Sequence, residues 1–351
     1  MMRERRQIVE LWERGDAMAL ATLVRVEGSS YRRTGARLLI AANGDYAGSI
    51  SGGCLEAEII RKAQWMVRGG ATIQRYSTLF DDTAEIPYGL GCGGTVELLL
   101  EPAGTPEFNA LMEAMRASLH GETQFVGTSL PLPGKRLRRT VRRVKDVFCL
   151  SEGLSDSYDN AFCETLDPPQ RLFVFGAGDD AQPVVRMASL LGWSVIVVDG
   201  RAQWARAERF PEAERVLVAP TSDDLPIGSR DAVVVMTHSY EQDRAWLAAV
   251  LSSAPRYLGL LGARHRSALL VSEVAAILGW PLERACAGIF APVGLDLGGD
   301  GAEAIALSIV AEIQACHEGK LGSSRRMTPE AVTALISSDG ASRYLQAQCA
   351  L

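Results

Sequence analysis

The chain has 351 residues, 47% hydrophobic and 22% charged, with a formal net charge of -6. That length holds two or three domains with sizeable cores, and the acidic balance excludes the basic surface of a general nucleic-acid binder. Seven cysteines, at 54, 92, 149, 163, 286, 316 and 349, are odd in number and scattered, which excludes a small disulfide framework and points to a reducing, cytoplasmic setting.

The opening "MMRERRQIVELWERGD" alternates charged and apolar residues at helical spacing. It predicts a helix over 3–14 and lacks the apolar block of a signal peptide, and no later stretch is long and apolar enough to span a membrane. A β-rich run, "MALATLVRVEG", follows, and then "ARLLIAANGDYAGSI", where Asn43-Gly44 between two apolar runs signals a hairpin. Next comes "GSISGGCLEAEIIRKAQWMVRGG", which sets Cys54 after Gly52 and Gly53 and at the start of a helix. Unpaired N–H groups and the helix dipole favour a thiolate at such a position, so Cys54 is a candidate nucleophile or soft-metal ligand. The plain alternative is a small buried residue beside a tight turn.

A strand over 71–77 leads into the long loop "FDDTAEIPYGLGCGG", in which Gly91, Cys92 and Gly93 repeat the glycine-flanked thiol. Loops of this length inside a compact domain are usually functional or disordered. Two such thiols suit a soft metal centre, a sulfur-carrying group or a redox pair. The strand "TVELLLEP" and a helix over 105–119 follow, then the basic run "KRLRRTVRRVK" at 135–145, read as a solvated strand pair. We assign 1–150 to a first domain and 151–169, acidic and ending at Pro168-Pro169, to a linker.

The second domain, 170–320, opens with a complete βαβ unit, "QRLFVFGAGDDAQPVVRMASLLGWSVIVVDGR". Gly176 permits the tight turn, Gly178 permits close approach of a diphosphate, and Asp199 stands where a carboxylate would hold a ribose. Asp179 and Asp180 oppose a diphosphate by charge, so the fingerprint speaks for fold before ligand. Strands are predicted at "ERVLVA", "DAVVVMT", "RYLGLLG" and "CAGIF", completing a doubly wound sheet of five or six strands. The predicted fold class is therefore α/β in two domains: an N-terminal mixed α/β domain and a C-terminal Rossmann-like doubly wound parallel sheet. Residues 321–351 are read as a C-terminal helical extension.

Ligands of such sheets sit beyond the carboxyl ends of the strands. Three strand ends carry polar residues there. His238, in "THSYEQDRAW", is a candidate acid/base or a helix cap. In "GLLGARHR", Gly262 clears space beside Arg264 and Arg266, whose guanidinium groups suit a phosphate. The glycine-rich "PVGLDLGGDG" precedes an apolar helix over 302–316. There is no CxxC, HExxH, GxSxG or P-loop motif, which removes the common zinc sites and hydrolase or nucleotidase signatures.

The motifs "EGSSYRRTGARLLI", "GSISGGCLEAEI" and "GLGCGGTVELLLEP", followed by "FVFGAGDDAQPVVRMASLLGWSVIVVDGR", "YLGLLGARHR" and "PVGLDLGGDGAEAIALSIVAEI", resemble the xanthine dehydrogenase accessory factor (XdhC/CoxI) family. The resemblance implies a cytoplasmic maturation factor more than a metabolic enzyme. Such a factor binds the molybdenum cofactor, of molybdopterin type, and delivers it sulfurated to an apo molybdenum hydroxylase of xanthine dehydrogenase type. A cysteine desulfurase is a further implied partner, and a homo-oligomer is left open. The family motif falls on Gly52, Gly53 and Cys54 and on Gly91, Cys92 and Gly93. Two other readings stay open: an NAD(P)-dependent oxidoreductase using Gly176, Gly178 and Asp199 with His238 as acid/base, and a thiol redox or sulfur-carrier protein using both cysteines.

Overall fold

In the computed structural model the described residues are 2–53, 55–77, 94–132, 136–144, 160–219 and 225–322. The chain divides between Pro168 and Pro169 into two compact units.

In the N-terminal unit, helix α1 (Met2–Glu13) is followed by β1 (Ala17–Gly28), β2 (Arg37–Ala41), β3 (Tyr46–Gly48), α2 (Glu56–Met66), β4 (Thr72–Ser77) and β5 (Gly94–Pro102). The five strands form an antiparallel sheet in the order β3-β2-β1-β5-β4. Its central strand, β1, is apolar from Ala17 to Val24 save for the buried Thr22, because both faces are covered there. Leu20 and Leu39 pack with α1 and with α3 (Pro106–Leu119), through Ile8, Leu11, Phe108 and Met112. Leu23, Leu38 and Leu98 face the other way, onto Ile59 and Ala63 of α2. The predicted hairpin joins β2 to β3, with Gly44 at φ +91° and Asn43 Oδ1 accepting the Asp45 N–H.

A second antiparallel sheet, in the order β7-β6-β8, comprises β6 (Gln124–Ser129), β7 (Arg138–Arg143) and β8 (Ala161–Leu166). Two expectations change here. Residues 161–166, read as part of a linker, pair with β6 along their length. The basic run does form a strand, but Arg139 points inward, buried against Glu101 at 2.9 and 3.0 Å and against the Glu107 carbonyl.

The C-terminal unit contains β9 (Arg171–Phe175), α4 (Ala181–Leu190), β10 (Ser194–Asp199), β11 (Arg215–Val218), β12 (Ala232–Val235), α5 (Tyr240–Ser253), β13 (Tyr257–Leu260), α6 (Arg264–Leu278), α7 (Leu282–Ala287) and α8 (Ala302–His317). Its sheet is wholly parallel, in the order β11-β10-β9-β12-β13. Helices α4 and α8 cover one face, through Val184, Val185, Ile309 and Ile313. Helices α5 and α6 cover the other, through Trp246, Leu247, Leu270 and Val274. This is the doubly wound sheet the sequence predicts, and the strand order reverses between β9 and β12, where such folds bind ligands. The stretch "CAGIF" is not a strand: it runs out of α7, and Phe290 makes only an isolated bridge to Gly259. The expected helical extension over 321–351 lies outside the described residues from 323 onward.

Candidate functional site

The loop from Gly48 to Gly53 is built around one carboxylate. Glu56, the first residue of α2, turns back toward the preceding loop and is buried. Its Oε1 accepts from Ser49 Oγ (2.7 Å) and from the N–H groups of Ile50 (3.0 Å), Ser51 (2.8 Å) and Gly52 (3.1 Å). Its Oε2 accepts from the Gly53 N–H (2.9 Å) and from Ser51 Oγ. Burial alone would raise this carboxyl group's pKa, but the donors of Ser51 and Ser49 outweigh it and hold the group down to about 2. Gly52 and Gly53, at φ +92° and +120°, supply the left-handed backbone that aims successive N–H groups at one point.

Cys54, Gly91, Cys92 and Gly93 lie outside the described residues. The ends of the loops that carry the two cysteines are described, and they converge. Gly52 sits against the ring of Tyr31, where an added Cβ would stand 2.8 Å from Cε1. Gly94, the first residue after the second cysteine loop, pairs with Gly28 across the sheet, and a Cβ on it would stand 2.1 Å from the Ser29 carbonyl oxygen. The segment 28–31 at the end of β1 therefore touches both Gly52 and Gly94, although these are far apart in sequence. Tyr31 is 73% exposed, an aromatic face presented beside Gly52.

In the C-terminal unit the fingerprint residues are tied to one another. Gly176, at φ +119°, lets the turn after β9 approach the end of β12 so closely that a Cβ would lie 2.4 Å from the Met236 carbonyl oxygen. Asp199 Oδ2 accepts the Ala177 N–H at 2.8 Å, and both its oxygens are engaged by Arg201 at 2.8 and 2.9 Å. Its side chain is fully buried. Burial would raise its pKa, but the Arg201 and Ala177 donors hold it lower. In this conformation a ribose hydroxyl reaches Asp199 only if Arg201 moves.

The expected diphosphate position is likewise fronted by the chain's own charges. Asp180 Oδ1 lies over Gly178, 2.5 Å from where a Cβ would be, and Asp180 Oδ2 meets His238 Nε2 at 2.7 Å. Asp179 pairs with Arg209 at 2.7 Å. His238 itself has φ +60°, a left-handed conformation uncommon for a non-glycine residue, and its side chain is exposed.

The two arginines beyond β13 separate. Arg266 donates to Asp243 Oδ2 at 2.6 Å, while Asp243, fully buried, also accepts from Thr237 Oγ1 at 2.6 Å and from the Thr237 N–H at 3.2 Å. Arg266 thus joins the start of α6 to α5 and the end of β12. Arg264 and His265 are exposed in the first turn of α6, and Gly262 adopts φ +152° just before them. Among the described residues no group of three or more His, Cys, Asp or Glu side chains is arranged to hold a metal ion, and no helix is long and apolar enough to cross a membrane.

Glu56, Tyr31 and Arg201 were not singled out by sequence reasoning, and Asp243 was noted only as a neighbour of His238. Glu56 carried a usable signal, an acidic first helical residue three positions after a Ser/Gly loop.

Residues 11–77 match the XdhC and CoxI family, and residues 172–313 match the XdhC Rossmann domain. The chain is 30% identical to a Bacillus subtilis protein over 326 residues, 86% of this chain and 94% of that one; the relative's name makes it a probable xanthine dehydrogenase subunit. It is 26% identical to an Escherichia coli protein named molybdenum cofactor insertion chaperone PaoD, over 87% of this chain and 85% of that one. A solved structure described as a xanthine dehydrogenase from Bacillus halodurans superposes with a TM-score of 0.76 at 27% identity, covering 94% of this chain and 99% of its own. A relative of 30% identity, matched over nearly its whole length, with family matches in both units, makes the chain a member of the XdhC and CoxI family.

Proposed function

We propose that the protein is a cytoplasmic maturation factor that binds the molybdenum cofactor as cargo and hands it, sulfurated, to an apo molybdenum hydroxylase of xanthine dehydrogenase type. The observation that carries this reading is the convergence of Gly52 and Gly94, which flank the two cysteine loops, on residues 28–31. A soft thiolate suits an oxidised molybdenum centre or a persulfide. Gly52 and Gly53, which lack a Cβ, allow a bulky pterin to approach the backbone, and the exposed Tyr31 ring offers it a flat face. In this reading Cys54 and Cys92 contact the cargo, the glycines leave it room, and the client enzyme supplies the catalysis. A cysteine desulfurase would provide the sulfur. The name of the Escherichia coli relative, a molybdenum cofactor insertion chaperone, supports the same role.

The C-terminal unit is assigned no dinucleotide in this proposal, because Asp179 and Asp180 stand where a diphosphate would bind and Asp199 is closed off by Arg201. The oxidoreductase reading would need all three to rearrange. The test is transfer. Protein purified from a host that makes the cofactor is mixed with an apo molybdenum hydroxylase, and hydroxylase activity is followed. Activity appearing in proportion to the added protein is expected; none, from protein shown to carry the cofactor, would contradict delivery.

A further inference from the structure

We infer that Glu56 is the positioning residue of the first cysteine loop: its carboxylate holds Ser49–Gly53 in one shape and thereby sets where residue 54 is presented. This rests on the reading of Cys54 as a cargo-facing thiol. A glutamate in the first turn of a helix ordinarily points outward and interacts weakly with the dipole. Glu56 instead folds back and takes six hydrogen bonds from the five residues before Cys54. That is more than a helix cap requires, since a cap satisfies one or two donors.

The bonds also bracket position 54. On its N-terminal side the Gly53 N–H is held by Glu56, and on its C-terminal side the Leu55 N–H donates to Ser51 Oγ at 2.9 Å, the same hydroxyl that donates to Glu56. The backbone on both sides of the cysteine is thus anchored to a single carboxylate. A left-handed Gly52-Gly53 pair is intrinsically mobile, so without an anchor the loop would sample many conformations. Gln in place of Glu56 keeps the shape but turns one acceptor into a donor, facing the Gly53 N–H and weakening that half of the cradle. Ala removes it.

The experiment uses full-length wild type, E56Q, E56A and C54S. Amide hydrogen exchange of residues 50–53 should be slowest in wild type, intermediate in E56Q, and roughly ten- to a hundredfold faster in E56A, as expected for loss of a charge-assisted hydrogen bond at each amide. Iodoacetamide labelling of Cys54, read by peptide mass spectrometry against the exposed Cys163 and Cys286 in the same molecules, should be roughly three- to tenfold faster in E56A, because the loop is loosened and a neighbouring negative charge is gone. E56Q should fall between. A loss of global fold would change all three cysteines together, whereas loss of positioning changes Cys54 alone.

Exchange at 50–53 as slow in E56A as in wild type, or faster exchange with unchanged Cys54 labelling, would overturn the inference. If E56A does not fold, E56Q decides it by the same two measurements. Bound cofactor separates this from the functional proposal. Retention by C54S would refute the thiol reading and leave exchange and labelling to judge Glu56. Loss in C54S with full retention in E56A would refute Glu56 alone.

Discussion

The ring of Tyr31 lies against Gly52, so that a β-carbon at position 52 would stand 2.8 Å from Cε1 and 2.9 Å from Cδ1. The backbone there has φ +92°, a region that costs an L side chain roughly 1–2 kcal/mol. Because the ring is exposed it can swing away, and the backbone cost remains. G52A should therefore lower stability by about 1–2 kcal/mol, read as a shifted urea midpoint at unchanged slope. It should also release bound cofactor, since the added methyl and the displaced ring both intrude on the loop.

The arginines after β13 should behave differently. R266A strips the buried Asp243 of its cation and leaves it only the Thr237 donors, so we expect a loss of roughly 2–4 kcal/mol in the C-terminal unit. R264A removes an exposed side chain and should stay within about 0.5 kcal/mol of wild type. Denaturant unfolding distinguishes the two. If R264A instead weakens cofactor binding in a salt-dependent way while leaving stability unchanged, a cargo phosphate reaches the first turn of α6.

Nicotinamide titration tests the other function class. A working dinucleotide site would show micromolar affinity, about -8 kcal/mol, lost on changing Gly178 or Asp199. With Asp180 over Gly178 and paired to His238, calorimetry should detect no such binding of NAD(H) or NADP(H). Tight, Asp199-dependent binding with hydride transfer to a small substrate would establish the oxidoreductase instead.

The architecture of the C-terminal unit was legible because it is written locally. An apolar strand, a glycine turn, a helix and a second apolar strand ending in an acid follow one another within thirty or so residues, and the parallel sheet follows from that order. What Asp199 and Asp180 do was not legible, because their partners Arg201 and His238 are chosen by the folded turn geometry. The same holds in the N-terminal unit. Glu56 looks like any acidic residue opening a helix until the loop before it curls back. Arg139 looks like one base in a solvated run until the strand pairing turns it toward Glu101. Residues 161–166 lie inside the stretch 151–169 that reads as a linker, and only their pairing with β6 makes them a strand. Tyr31 was visible within "EGSSYRRTG", but nothing in the sequence places it over Gly52.

Stability should also depend on His317. Its pKa is lowered to about 4, first by burial and then by the charge of Arg256, and its Nε2 is buried without a hydrogen-bond partner among the described residues. The unfolded chain titrates near the ordinary value of about 6.5, so the folded state binds fewer protons between those limits. The contribution is complete above about pH 6.5 and is lost as pH falls toward 4. H317Q cannot titrate. Between about pH 6.5 and 4 its melting temperature should therefore fall less steeply than that of wild type; parallel curves would show that His317 is protonated as readily in the fold as out of it.

Cofactor content of the cysteine variants tests the central claim most directly. Wild type, C54S and C92S are purified alike from a host that makes the molybdenum cofactor, and molybdenum and pterin are measured per protein chain. Wild type should carry both. Each variant should lose about tenfold or more in retained cofactor, the equivalent of one strong contact, with a melting temperature close to that of wild type. Wild-type content of molybdenum and pterin in both variants would contradict the account.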